Sequence, residues 1–230
     1  MPLTDILMEE RHLWKSIQNQ CDIAFDVGIH DICHLCHFRE PGNNTKIYLF
    51  EPNKDYITNI TRIYGSMNNV YIYDNGFGNV TEDIEIYHST NSAMYSKKIR
   101  YSPLNKKASS FTAKIVTLDD FCHNNNILKI DFLKIDIEGY DGRALLGGKE
   151  IIKTCKWIQI ENFFCLEPDI NIKNELVQIV KDMNLHIYRM ICGKFTKVEV
   201  DNWLQDVLIV HKQFNSPFCN YLLSKEEYTP

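Results

Sequence analysis

Residues 131–141, Asp-Phe-Leu-Lys-Ile-Asp-Ile-Glu-Gly-Tyr-Asp, decide how the chain is read. Leu133, Ile135 and Ile137 alternate with Lys134, Asp136 and Glu138, the period of two expected of a strand rich in branched side chains, and Gly139 turns the backbone out of it. A buried strand that leaves through a cluster of carboxylates marks a site as well as an element. In open α/β sheets ligands bind beyond the carboxyl ends of the strands, so ionised groups at this exit stand where chemistry is expected.

On either side the same patterns recur. Residues 5–18 have helical spacing (Ile6, Leu7, Leu13, Trp14, Ile17), and 22–27 form a short apolar run ending at Gly28. A helix-like segment over 33–39 precedes a strand over 46–50, which ends in Glu51-Pro52; a helix over 55–64 and a strand over 70–73 follow. Beyond the turn-rich stretch 74–79, residues 84–88 and 114–116 read as extended and 118–123 as helical. After the 132–137 strand come a helix over 143–153, a strand over 157–161 and a helix over 171–183. Two last strands, 186–191 and 206–211, flank a turn at Gly193. Alternating strands and helices predict one α/β domain over 1–230, a doubly wound, mostly parallel sheet with a C-terminal antiparallel strand pair, residues 1–20 being a helical extension. Residues 91–112 are polar and rich in Ser, Lys and Tyr, and are expected to form a lid loop over the strand ends. His88, Tyr95 and Tyr101 lie on or near it, as surface residues or as acceptor contacts.

Composition bounds the function. With 230 residues, 44% of them hydrophobic, the chain can bury one core flanked by two helical layers. A formal net charge of -5 argues against nucleic acid as a partner, because phosphate-backbone binding needs a concentrated Lys/Arg face. The first twenty residues contain Glu9, Glu10 and Arg11 and no long apolar core, so neither a signal peptide nor a membrane span is expected; a cytoplasmic protein is. The cysteines, spread from Cys21 to Cys219, have no framework spacing and are expected to be reduced thiols. In Cys33-His34-Leu35-Cys36-His37 two thiols share a helix face, but a lone pair supplies only two metal ligands and no second pair follows; helix packing is the reading.

Asp26-Val27-Gly28 leaves the first strand, and Glu51 ends the second at a spacing near that of the acidic residue that takes a ribose in nucleotide folds. No glycine stands between Gly28 and Gly42, which disfavours the pyrophosphate cradle of a nicotinamide dinucleotide. S-adenosylmethionine has a ribose and adenine but no phosphate. Its cationic sulfonium and ammonium suit a crevice with Asp26, Glu51, Asp136 and Glu138. The plainer reading of Asp-x-Gly, a simple turn, stands beside this one. Asn75 and Gly76, leaving the third strand, are placed to meet adenine, though Asn-Gly is also an ordinary turn signal.

Four blocks carry a family resemblance: Phe25-Asp26-Val27-Gly28, Leu49-Phe50-Glu51-Pro52-Asn53, the pair Thr117 to Phe121 and Asp131 to Tyr140, and Ile158-Gln159-Ile160-Glu161. Together they resemble the FkbM-type methyltransferases. The resemblance implies a Rossmann-like class I methyltransferase fold and S-adenosylmethionine-dependent O-methylation of a sugar, glycan or other small-molecule hydroxyl. Such transfer needs a base for the acceptor hydroxyl. Asp136, which faces the crevice, is the first candidate, with Glu138 and Glu161 next. Glu138 has an alternative role accepting backbone N–H groups at the Gly139 turn, and Glu161 one holding the neighbouring loop. Lys134 either pairs with a carboxylate or acts on the acceptor. Clustered carboxylates also raise a divalent cation such as magnesium, but direct base catalysis needs none, and no metal ligand is assigned. The family pattern Asp-Val-Gly-Ala-Asn-x-Gly is broken at Ile32, which replaces the second glycine. A β-branched side chain there is expected to crowd the cofactor and weaken it by about ten- to a hundredfold. That departure supports an alternative: a binding or regulatory module that has kept the fold and lost turnover.

Overall fold

The computed structural model describes residues 3–88, 95–96, 109–137, 139–161, 169–191, 194–203 and 220–229. The chain opens with α1 (Leu3–Ile17), β1 (Ile23–Val27), α2 (His34–His37), β2 (Lys46–Phe50), α3 (Lys54–Tyr64) and β3 (Val70–Tyr73). An excursion follows through β4 (Gly76–Phe77), β5 (Glu82–His88), β6 (Tyr95–Ser96) and β7 (Ser109–Val116). The chain then resumes with α4 (Leu118–Asn124), β8 (Phe132–Ile135), α5 (Asp141–Leu146), β9 (Trp157–Ile160), α6 (Ile170–Asp182), β10 (His186–Ile191), β11 (Lys194–Val198) and β12 (Asn220–Ser224).

The main sheet has the order β11-β10-β12-β9-β8-β1-β2-β3. Strands β9, β8, β1, β2 and β3 are mutually parallel, while β12 runs antiparallel between β9 and β10. The expected doubly wound, mostly parallel sheet with an antiparallel C-terminal element is what forms. Strand alternation divides the core into two layers. Phe25, Val27, Leu133, Ile135 and Ile158 pack one face against α4, α5 and α6. Ala24, Ile47, Leu49 and Phe132 pack the other against α1, α2 and α3. Trp14 anchors α1: it is buried, stacks on Phe132 with centroids 5.6 Å apart, and its indole N–H donates to the Leu35 carbonyl at 3.0 Å. Caps set the helix starts, with Asn53 accepting from the Asp55 amide and Thr117 from that of Asp120.

The described elements add detail to these readings. β10 pairs with β11 on one side and β12 on the other, and residues 206–211, expected to form the last strand, lie outside the described residues. The helix expected over 143–153 is the short α5 followed by a 3-10 turn over Ile151–Thr154. Gly147 is the cause. A Cβ there would stand 2.0 Å from the Gly78 carbonyl, so the backbone of the β4–β5 turn occupies the space a continuing helix would need for side chains. In the expected lid, residues 95–96 pair with β5 and 109–112 are strand; the rest, with Tyr101, lies outside the described residues. His88 and Tyr95 are register partners in the β5–β6 ladder.

Candidate active site

The exits of β1, β2, β3 and β8 meet at one end of the sheet. The Gly28 amide donates to the Phe50 carbonyl (3.0 Å), the Glu51 amide to Tyr73 (3.2 Å) and the Asp136 amide to Val27 (3.0 Å). Gly28 has φ +84°, and a Cβ on it would lie 1.9 Å from the Asp136 carbonyl oxygen. Only glycine lets the β1 and β8 exits approach this closely. The turn continues through His30 at φ +53°, a left-handed conformation that histidine tolerates better than most residues.

At Ile32 the turn closes: its amide donates to the Ile29 carbonyl, its side chain is 52% exposed and Ile29 is buried.

Glu51 is buried at the exit of β2. Its two oxygens take one backbone N–H each, from His30 (3.0 Å) and Asn53 (2.9 Å). Burial pushes its carboxyl up to about 7, although both amides pull the other way. Two N–H bonds leave lone pairs on each oxygen. Asn75 is buried beside it in sequence order along the strand ends, its amide donating to the Gly76 carbonyl (3.2 Å). Gly76 lies against Ile115 and Pro52, where a Cβ would meet the Ile115 side chain at 2.8 Å.

The centre of the site is a buried ion cluster. Asp26, Lys134 and Gln159 stand in register on β1, β8 and β9, forming a polar row across three strands on the face covered by α1. The Lys134 ammonium faces Asp136 at 3.3 Å, Asp26 at 3.5 Å and Glu10 of α1 at 3.7 Å. Glu10 also accepts from Gln159 (3.1 Å) and pairs with His34 of α2. Asp26 accepts the Cys33 S–H at 3.4 Å. Burial works against the Lys134 ammonium, but the three carboxylates outweigh it and hold its pKa well above the ordinary value. For Glu10, burial is outweighed by Lys134 and His34, which hold it below the carboxylate norm; Asp26, where burial wins, is raised. Of the cluster's carboxylates, Asp136 is the one that reaches solvent, with about a third of its side chain exposed (34%).

Of the remaining candidates, Glu161 follows β9 half-buried, its amide donating to the Ile135 carbonyl at 3.3 Å, so it lies beside the β8 exit. Glu138 lies outside the described residues. Lys134 is one side of a buried ion cluster rather than a group open to solvent. Among the described residues no three His, Cys, Asp or Glu side chains converge as metal ligands.

Sequence reasoning overlooked Glu10, His34, Gln159 and Asp141. Asp141, at the start of α5, is fully buried and accepts the Gly139 amide at 3.1 Å; burial and the neighbouring Asp136 push its carboxyl up to about 8. Glu10 had a legible signal, because it shares the helical stripe of Leu13, Trp14 and Ile17, where a carboxylate needs a buried partner. Cys33 and Cys36 are free and buried at the α2 turn, with the Cys36 amide donating to the Cys33 sulfur.

A match to the methyltransferase FkbM domain covers residues 26–190, from the β1 carboxylate through β10. The chain belongs to the FkbM methyltransferase family. No curated protein matches it. Among solved structures, it is similar to the FkbM methyltransferase of Methylobacillus flagellatus KT, at 15% identity and a TM-score of 0.49, over 87% of this chain and 43% of that one. The chain thus spans less than half the length of that relative. It is also similar to the methyltransferase domain of bacterial CtHen1-C (7% identity, TM-score 0.48, 96% of each chain). A putative caffeoyl-CoA O-methyltransferase from Staphylococcus aureus gives 10% identity and a TM-score of 0.44 over 97% of this chain and 84% of that one. The fold of this FkbM-family chain is the class I methyltransferase fold, with the β1, β2 and β8 exits on the side where its carboxylates gather. No described helix is long and apolar enough to cross a membrane.

Proposed function

We propose that this chain methylates a hydroxyl oxygen of a small-molecule acceptor, a sugar or glycan, using S-adenosylmethionine, and that Asp136 takes the hydroxyl proton. The observation that carries this reading is the ion cluster: three carboxylates share one ammonium, and the carboxylate that reaches solvent stands at the exit of β8. S-adenosylmethionine, when bound, supplies an activated methyl group on a sulfonium. The residues present fit it. Glu51 has lone pairs left for the two ribose hydroxyls, the Gly28 turn brings backbone close without a Cβ, and Asn75 and Gly76 border the adenine end. The acidic excess around Lys134 favours a cationic ligand over a neutral or anionic one.

Each side chain then has a task. Glu51 accepts from the ribose, charge-assisted bonds worth about 1.5–3 kcal/mol each. Asp26 and Lys134 fix the floor beneath the ligand's charged end. Asp136, held on one oxygen by Lys134, keeps the other for the acceptor hydroxyl, and general-base assistance of this kind contributes about 10²- to 10⁴-fold. Glu161 flanks the acceptor side from β9.

The test is transfer of tritiated methyl from S-adenosylmethionine to a panel of free sugars and glycosides. Label that survives mild alkali marks a methyl ether; label released by alkali marks a carboxyl ester and overturns hydroxyl methylation. Asp136→Asn should bind the uncharged product S-adenosylhomocysteine as the wild type does, while transfer at saturating S-adenosylmethionine falls by about 10²-fold or more. Near-normal transfer in that variant removes Asp136 as the base.

A further inference from the structure

We propose that Glu10, on the N-terminal helix, is a positioning residue of the methyl-donor site: it completes the carboxylate set around Lys134, so α1 is part of the site rather than an appendage. This rests on the methyl-transfer reading above. Glu10 lies outside the stretch matched to the family, residues 26–190.

Several observations converge on it. Glu10 is 5% exposed, on the stripe of α1 that packs against the sheet. It meets three different elements at once: Lys134 on β8 at 3.7 Å, Gln159 on β9 at 3.1 Å and His34 on α2. A helix needing only to pack would place an apolar side chain there, as it does with Leu13, Trp14 and Ile17, because a buried carboxylate is costly unless paired. The charges facing the cluster are Glu10, Asp26 and Asp136 against Lys134 and His34. Three negative charges against two positive ones leave an excess of one when the imidazole is protonated. Without Glu10 the cluster would be neutral, and its attraction for a sulfonium would be gone. Glu10 touches neither ligand nor acceptor; it acts by setting the charge that Lys134 leaves unbalanced at Asp26 and Asp136.

S-adenosylmethionine and S-adenosylhomocysteine report this directly, since they differ in the sulfur's methyl group and positive charge. Calorimetry on the full chain gives the ratio of their affinities. Glu10→Gln should lower the preference for the sulfonium by about three- to tenfold, the size expected when one unit charge that does not touch the ligand is removed at an intermediate dielectric. Glu10→Asp should restore most of it. His34→Gln, tested near pH 6 where the imidazole is protonated, should move the ratio the other way. Leu13→Ala loosens the same helix and should lower the melting temperature while leaving the ratio unchanged. Opposite shifts from Glu10→Gln and His34→Gln support the proposal; a purely structural role would move both variants alike or neither. An unchanged ratio in both variants, with wild-type binding intact, overturns this proposal alone. If the wild-type chain binds neither ligand, the methyl-donor reading fails with it.

Discussion

Lys134→Met removes the ammonium from the ion cluster and keeps a side chain of similar length in place. In the wild type the ammonium stands 3.3, 3.5 and 3.7 Å from three carboxylates, and Lys134, Asp26 and Glu10 are each at most 5% exposed. Breaking a buried pair by removing one partner costs about 3–5 kcal/mol, because the other charge stays in a poorly solvating place. Here Asp26 and Glu10 are both left, and His34 is the remaining cation beside them. The variant can escape only by protonating. In it the folded-state pKa values of Glu10 and Asp26 rise above their unfolded values, so the folded form binds more protons than the unfolded form. The deficit is then small below the unfolded carboxylate range near pH 4 and grows as pH rises through the raised folded values. Urea unfolding followed by tryptophan fluorescence at about pH 5 and pH 8 should show a deficit of about 3–5 kcal/mol at the higher pH and a clearly smaller one at the lower. A deficit under about 1 kcal/mol, or one equal at both pH values, would refute the argument that the cluster is held by charge.

Gly28→Ala should be among the most damaging single changes. Positive φ costs an alanine about 1–2 kcal/mol, and the added carbon falls 1.9 Å from the Asp136 carbonyl, so the β8 exit must move; we expect a melting temperature lower by roughly 6–12 °C and loss of S-adenosylhomocysteine binding. A drop of a degree or two would mean the two exits are not tightly apposed. Ile32→Gly restores the family residue, yet because the side chain is half in solvent, cofactor affinity should change by less than about twofold; tenfold tighter binding would reinstate the crowding. Glu51→Gln should weaken S-adenosylhomocysteine by about tenfold. In the wild type, affinity should rise with pH through about 7, where Glu51 ionises and becomes the stronger acceptor for ribose hydroxyls; this rise should be absent in the variant. The same group affects stability with the opposite sign. Its folded pKa is raised above the unfolded value of 4.5, so its contribution is fully present below 4.5 and lost as pH rises through about 7. A flat wild-type binding profile would remove Glu51 from the ribose.

Much of this was legible because strand faces follow a period of two. β1, β2, β3 and β8 lie where alternation put them, and the turn at Gly28 with Glu51 beyond it located the strand exits. Legibility stopped where the decisive neighbour is distant in sequence. Nothing local says that Asp26, Lys134 and Gln159 fall into one row, since register comes from pairing across the sheet. The length of α5 was misread because Gly147 answers to Gly78 rather than to helix propensity. The path of the turn after Gly28 was not legible either, because His30 takes the left-handed conformation and the Ile32 amide closes back on the Ile29 carbonyl. Glu10 was dismissed with its charged neighbours as a sign of a polar N-terminus, although its helical phase already put it among core residues.

The insertion of β12 between β9 and β10 has a consequence for how the molecule is made. Residues 220–224 leave the ribosome after every other described strand, yet they fill an interior position of the main sheet and supply the fully buried Tyr221, Leu222 and Leu223. Until they arrive, the β10–β11 hairpin has no neighbour to join it to the five parallel strands, and β9 presents an open edge to other nascent chains. The step that locks the sheet therefore waits for β12, and losing β12 would release a hairpin rather than trim an edge.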